Sequence, residues 1–464
     1  MTIFGINFTD LWENISGFTT LFVVAFAIVI FMWLIYKTIK KVSHRASQTK
    51  QPSHPVAKKL DKRSTPSHNP FIHGNPVAPE QLIGRDGELR RIAGRIITGQ
   101  STIITGSPRS GKTSVLQGLM LAPNEERAKT LYGDTVNKLI FSYLDVFKAT
   151  QFNKAQFWES VLEPLQKRIV ANTPLFKAYQ MCQNRQFETN EVENLISEIN
   201  QANWRLVLLI DEFDKFLDNT ILTENQGEFF ANLRALVVSP DNQGALVLVI
   251  TSSLSRSQLN NETLKSSNGS PYFNIMDEFV LGALSESEVD ELLAQGNFTD
   301  DDCGFIKDIA GGHPYLLQVV ASTLWESYED GNEDNFAKQQ RVKDYFYLKV
   351  KETLKNIWDS WDQEKQSIFM SVALVHLEKL GIKFPKEVDI KSISNSLSLK
   401  ASSLIELERY GFLRRDDKMH GGWRVYPGIF LLFIIDIFKP EYRDKLSNKA
   451  WEKLSTPKSY KRFF

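Results

Sequence analysis

The chain has 464 residues, 42% of them hydrophobic and 24% charged, with 55 Lys and Arg against 55 Asp and Glu. That length holds two or three domains, and the composition excludes a disordered or fibrous chain. The net charge of zero leaves any nucleic-acid site to be local, and the two cysteines, Cys182 and Cys303, exclude a disulfide framework.

Residues 18–36 contain no charged side chain. At 1.5 Å per residue a helix over them is about 28 Å long, close to the apolar thickness of a bilayer. Trp12 lies toward one end, and Trp33 and Tyr36 lie near the other, as interfacial anchors do. A cleaved signal peptide wants basic residues ahead of the apolar run. Here Asp10 and Glu13 precede it, and Lys37, Lys40, Lys41 and Arg45 follow it. The sequence therefore predicts one transmembrane helix at 18–38, with a short extracytoplasmic segment at 1–17. The remainder is expected in the cytoplasm, anchored in an inner (cytoplasmic) membrane of bacterial type. Residues 39–75, rich in Ser, Pro, Gln and Lys, read as a flexible basic linker.

Folded structure is expected from 76 on. Ile83-Gly84-Arg85-Asp86-Gly87-Glu88-Leu89 opens an amphipathic helix, and Ser101-Thr102-Ile103-Ile104-Thr105 reads as a buried strand. Gly106-Ser107-Pro108-Arg109-Ser110-Gly111-Lys112-Thr113 follows directly and fits the pattern of a phosphate-binding loop. Ser114 and the apolar residues after it continue as a helix. Glycines let backbone N–H groups face phosphate oxygens, and the helix N-terminus adds free donors and a favourable dipole. Lys112 is expected to reach the β- and γ-phosphates of ATP, and the Thr113 hydroxyl to ligate Mg²⁺.

Three more apolar runs, at 139–145, 206–210 and 245–250, read as strands of a parallel sheet buried on both faces. Asp211-Glu212 sits at the end of the third strand. Asp211 is expected to hold Mg²⁺ with Thr113, and Glu212 to polarise the attacking water. Thr251 and Ser252 end the next strand, where a polar side chain can meet the γ-phosphate or that water. Arg234 and Arg256 are candidates to act on a neighbouring copy in a ring.

The order of these features, with Gly312-His313-Pro314 beyond them, resembles AAA+-related ATPases, most closely the STAND-type and archaeal-ATPase or origin-recognition-like branch. The resemblance covers about residues 70–440. It implies an α/β P-loop NTPase core at 76–277 and a helical lid at 278–350. In such proteins Pro314 would contact the adenine, with Gly84 and Arg85 on its other side. Ser285 and Glu288 form the capping box that opens the lid.

Residues 355–440 resemble a winged helix. Helices are expected at 364–377, near 393–397 and at 400–410, with wing strands at 411–415 and 423–426. The third helix offers Lys400 and Arg409 against Glu406 and Glu408, so it supports nucleic-acid binding only weakly. Met419-His420 resembles the Met-His pair of STAND latches but is followed by Gly421 where those carry Asp. Residues 441–464 form a basic tail.

The resemblance implies a membrane-anchored switch ATPase, of the kind found among bacterial defence and signalling effectors. ADP would hold it closed, and ATP would open it to homo-oligomerise. Its trigger and protein partner are not readable in the chain. The alternative is a membrane-tethered, DNA-associated AAA+ ATPase of replication, partition or transposition.

Overall fold

The computed structural model describes the backbone of residues 2–3 and 6–7, and residues 68–121, 125–148, 153–218, 221–222, 225–242, 244–266, 271–328, 334–382, 384, 389–397 and 400–437. The chain divides into two compact units, residues 1–63 and 64–464. In the first, β1 (Thr2–Ile3) pairs with β2 (Ile6–Asn7) in an antiparallel ladder. The expected membrane span, most of the linker and the basic tail lie outside the described residues. Among the described residues no helix is long and apolar enough to cross a membrane.

The second unit is built on a five-stranded parallel sheet of β3 (Thr102–Thr105), β4 (Leu139–Asp145), β5 (Arg205–Asp211), β6 (Leu246–Ser252) and β7 (Asp277–Val280). The spatial order is β4-β5-β6-β3-β7. Alternation along the strands feeds two separate cores. Leu206, Leu208 and Ile210 pack on one face, and Val207 and Leu209 on the other. Burial on both faces is why these strands read as unbroken apolar runs. The edge strand β7, Asp-Glu-Phe-Val, buries only Phe279 and gives no such signal, so the expected four strands are five.

The first core is covered by α4 (Lys154–Gln166), α5 (Pro174–Asn184), α6 (Thr189–Gln201) and α7 (Gln226–Val238), with α8 (Arg256–Ser266) beside them. The second is covered by α1 (Asp86–Ile97), α2 (Lys112–Leu119) and α3 (Glu126–Tyr132).

Beyond the sheet come α9 (Glu286–Ala294), α10 (Asp300–Ala310), α11 (Pro314–Ser327) and the 25-residue α12 (Asn335–Asp359). Ser285 and Glu288 cap α9 reciprocally, as their spacing predicts. Three helices follow, α13 (Gln363–Lys379), α14 (Ile390–Leu397) and α15 (Ala401–Arg409). An antiparallel hairpin comes next, β8 (Leu413–Arg415) with β9 (Trp423–Val425), and α16 (Ile429–Ile437) closes the described chain.

Two expected boundaries shift. α12 runs unbroken through 350–355, and Val289, Leu324, Phe346, Phe369, Phe412 and Phe430 belong to one apolar cluster. Helical lid and C-terminal module thus share a core. The linker at 39–75 also ends early. Phe71 is buried and stacks on Phe298 with ring centroids 5.5 Å apart, and the Ile72 N–H donates to Gln318 Oε1 at 3.0 Å.

Candidate functional site

The loop from Gly106 to Lys112 turns β3 into α2 by a path few residues tolerate. Gly111, the N-cap of α2, has φ +93°, in the left-handed region where a side chain is strained. A Cβ on Gly106 would lie 2.7 Å from both the Leu281 carbonyl oxygen and Ser110 Oγ. Loop, strand end and core-to-lid connection are therefore pressed together there. Lys112 Nζ folds back onto its own loop, donating to the carbonyls of Gly106 at 3.0 Å and Ser107 at 3.2 Å. Burial pulls its ammonium below the ordinary value, and Asp214, Asp211 and Glu212 pull it back up. Four charged groups thus converge at one end of the sheet.

Because β6 lies between β3 and β5, the end of β6 separates the loop from Asp211. Register places Ile250 opposite Ile210 and Ser252 opposite Thr105. Thr251 is fully buried. Its Oγ1 donates to Asp211 Oδ1 and accepts the Glu212 N–H at 2.9 Å. It positions both acidic residues and does not line the cleft. Ser252 does line it, and its Oγ accepts the Leu254 N–H at 2.9 Å. Glu212 takes φ 52° and ψ 45°, a left-handed conformation that costs a non-glycine residue about 1 kcal/mol. Partial burial raises that carboxyl above the ordinary value, opposed by Lys215, while Asp211 and Asp214 push the same way.

The cleft above the loop is about 740 Å³, ample for a nucleotide. Pro108, Arg109, Ser110, Gly111, Lys112, Thr113 and Ser114 line one wall, with Asp211 and Glu212 at its end and Arg85 and Pro314 among the lining. Three expected contact residues lie behind the wall. Gly84, at φ +70°, packs against Glu288, Gly106 sits beneath the loop, and Ser107 Oγ is 3.4 Å from His313 Nε2. Arg109 turns outward, donating to the Gly74 carbonyl at 3.4 Å with its guanidinium 5.3 Å from the Tyr315 ring centroid.

Arg85 is buried and serves as a strut. Its guanidinium donates to the carbonyls of Ser110 at 3.3 Å and Gly282 at 2.7 Å, and its own N–H donates to Glu288 Oε1 at 2.7 Å. It ties the loop, the core-to-lid connection and the lid to one another.

Sequence reasoning missed several groups at this site. Tyr143 on β4 donates to Asp211 Oδ2 at 3.1 Å. Lys349, Glu352, Thr353 and Asn356 of α12 line the far wall, and His73 and Gln318 line it too. The spacing i, i+3, i+4, i+7 on α12 was the available signal: a polar stripe on one helical face.

Against known proteins, residues 82–320, just over half of the chain, match the model of a family described as an ATPase domain predominantly from Archaea. The chain belongs to that family. It is an ATPase. Among solved structures, the Walker-type ATPase PABY2304 of Pyrococcus abyssi aligns at 14% identity and TM-score 0.49, covering 79% of this chain and 99% of that one. The ORC2 protein of Aeropyrum pernix, in ADPNP–ADP complexes, aligns at 13% identity and TM-score 0.43, covering 79% and 97%. A point mutant of RuvB from Thermotoga maritima aligns at 14% identity and TM-score 0.31, covering 81% and 99%. No curated protein matches the chain.

The loop, Asp211 and Glu212 thus line one and the same cleft. Neither Arg234 nor Arg256 lines the cleft. Arg256 donates to the Met276 carbonyl at 3.1 Å, and Arg234 sits against the aromatic cluster of Phe213, Phe230 and Tyr272.

Proposed function

We propose that the chain is a membrane-anchored, Mg²⁺-dependent switch ATPase of the STAND type. In this reading nucleotide state sets the arrangement of core, lid and a C-terminal winged helix at 355–440, and ATP drives self-association. The span at 18–36 would place the ATPase on the cytoplasmic side of the membrane. The observation that carries it is the wiring of the phosphate loop into both later modules. Arg85 ties Ser110 to Gly282 and Glu288. Ser107 meets His313, whose ring lies 6.0 Å from that of Phe412 in the C-terminal module. A Cβ on Gly411 would lie 2.4 Å from Ala283 Cβ, so the C-terminal module sits directly on the core-to-lid connection.

Mg²⁺ fits the donors present. Among the described residues no group of three or more His, Cys, Asp or Glu side chains could hold a metal. Mg²⁺ needs no such cage, since it keeps several waters and takes one or two protein ligands plus substrate phosphates. Thr113 Oγ1 and Asp211 would supply those ligands, and the charge Mg²⁺ brings would offset that of the phosphates. Lys112 would leave its own loop carbonyls for the β- and γ-phosphates. Glu212 would take a proton from the attacking water, and Ser252 stands near the same point. Pro314 and Tyr315 would face the base.

The DNA-associated reading has less support. Lys400 pairs with Glu364 at 3.5 Å, and Arg415 with Glu408 at 3.5 Å, so basic groups around α15 face carboxylates of the same module.

The test is light scattering of the full chain in detergent, with the bound nucleotide identified after denaturation. A monomer holding ADP, and a Glu212→Gln variant that assembles and stays assembled with ATP and Mg²⁺, are expected. A mass indifferent to nucleotide in both proteins would overturn the switch. Assembly only on added DNA would favour the alternative.

A further inference from the structure

Asp211 is held at both of its oxygens, by strands on either side of its own. From β6, Thr251 Oγ1 donates to Oδ1; from β4, Tyr143 Oη donates to Oδ2 at 3.1 Å. The register accounts for the second bond. Asp145 lies opposite Asp211 and Tyr143 opposite Leu209, so Tyr143 stands two residues back on the same face of the sheet. From there a phenol is long enough to reach the carboxylate diagonally. That face is the one covered by α2.

We infer that Tyr143 is a positioning residue for Asp211, fixing the carboxylate that receives the hydrated cation and setting how tightly cation and nucleotide bind together. The inference rests on the reading that Asp211 serves Mg²⁺. One donor on each oxygen stops rotation of the carboxylate and leaves a lone pair on each for water on the metal. With Thr251 alone, Oδ2 swings free and must be ordered when the cation arrives. Groups that orient a metal-binding carboxylate typically change metal affinity or activity by 10- to 100-fold when removed. A tyrosine present only to fill space would need its ring and not its hydroxyl, and Tyr143→Phe separates the two roles because the ring stays.

The experiment measures binding of ADP and of a non-hydrolysable ATP analogue to the full chain by calorimetry, with Mg²⁺ and with chelator. Mn²⁺ bound with the analogue is counted separately by electron paramagnetic resonance. Tyr143→Phe is expected to keep the cation-free nucleotide affinity and to lose about tenfold or more of the tightening that Mg²⁺ confers. Bound Mn²⁺ should weaken in step. In turnover the half-saturating Mg²⁺ concentration should rise more than kcat falls. Wild-type tightening in Tyr143→Phe, at an unchanged melting temperature, overturns the inference. Asp211→Asn separates the two levels of the argument. If it also keeps wild-type tightening, Asp211 does not serve the cation and the underlying reading fails. If it loses the tightening while Tyr143→Phe does not, only the role of Tyr143 falls.

Discussion

At the residue scale, the two charged side chains to which the proposed function gives the chemistry are pulled in opposite senses by their surroundings. Burial holds the Lys112 ammonium below its ordinary value, and Asp214, Asp211 and Glu212 oppose that shift only in part. Removing it in Lys112→Ala deletes charge-assisted hydrogen bonds of about 1.5–3 kcal/mol each. Nucleotide affinity is expected to fall at least about a hundredfold by calorimetry; unchanged affinity would remove the loop from its assigned role. Glu212 is raised by partial burial and by Asp211 and Asp214, with Lys215 and Lys112 opposing. Only its ionised form can accept a proton from water. Activity should therefore fall as pH drops through a value above the 4.5 of an ordinary glutamate. Lys215→Ala removes the largest opposing charge and should move that acid limb of kcat/KM further up. A limb that stays in place would exclude Glu212 as the titrating base.

At the scale of elements, the legible parts of the fold were those whose physics is local. The phosphate loop and Asp211-Glu212 were readable because a strand end and a helix start each leave a signature within a few residues. β3 to β6 were readable because burial on both faces demands continuous apolar residues. β7 was not, since an edge strand with one buried side chain satisfies no period. Nor was the part played by Arg85. Its sequence position says that it precedes a helix, but only the tertiary fold says that Ser110, Gly282 and Glu288 share it. Tyr143 was hidden for the same reason, because cross-strand partners depend on strand order. The seam between α10 and the C-terminal hairpin is likewise tertiary, and it supplies a stability prediction. Burial pushes the Asp308 carboxyl up to about 6, opposed by Arg424. Its folded value lies above the unfolded 3.8, so the folded state prefers the proton. Stability is then fullest below pH 3.8 and is lost as pH rises through about 6. Asp308→Asn removes that loss. It is expected to stabilise the protein at pH 7.5 by about 1–3 kcal/mol and to have little effect near pH 4, followed by urea unfolding at both values. Equal effects at the two pH values would show that the gain is not electrostatic.

Across the whole molecule, one side chain lies where the three parts meet. His313 is buried, with Nε2 3.4 Å from Ser107 Oγ in the phosphate loop and its ring beside Phe412. Gly311, at φ +61°, and Gly312 admit it, for a Cβ on Gly312 would lie 2.5 Å from the Leu284 carbonyl oxygen. Burial lowers its pKa to about 4, with Arg85 and Lys112 acting in the same sense, so the ring is neutral at working pH. In the proposed switch a neutral ring packed this way would transmit position and not charge: a loop that shifts to take phosphates would move the imidazole through Ser107, and the imidazole would move Phe412. Coupling needs an element with two arrangements that both ends bias; in the proposed switch, the core shared by lid and C-terminal module would be that element. His313→Ala cuts this route without removing a group that lines the cleft. Hydrogen exchange over α13, α15 and the hairpin should then lose its difference between the ADP-bound and analogue-bound states, while nucleotide affinity stays within a few-fold. Persistence of that exchange difference would mean that the state of the nucleotide reaches the C-terminal module through Arg85 and the core-to-lid connection at Gly282 instead, and Arg85→Gln would be the variant that removes it.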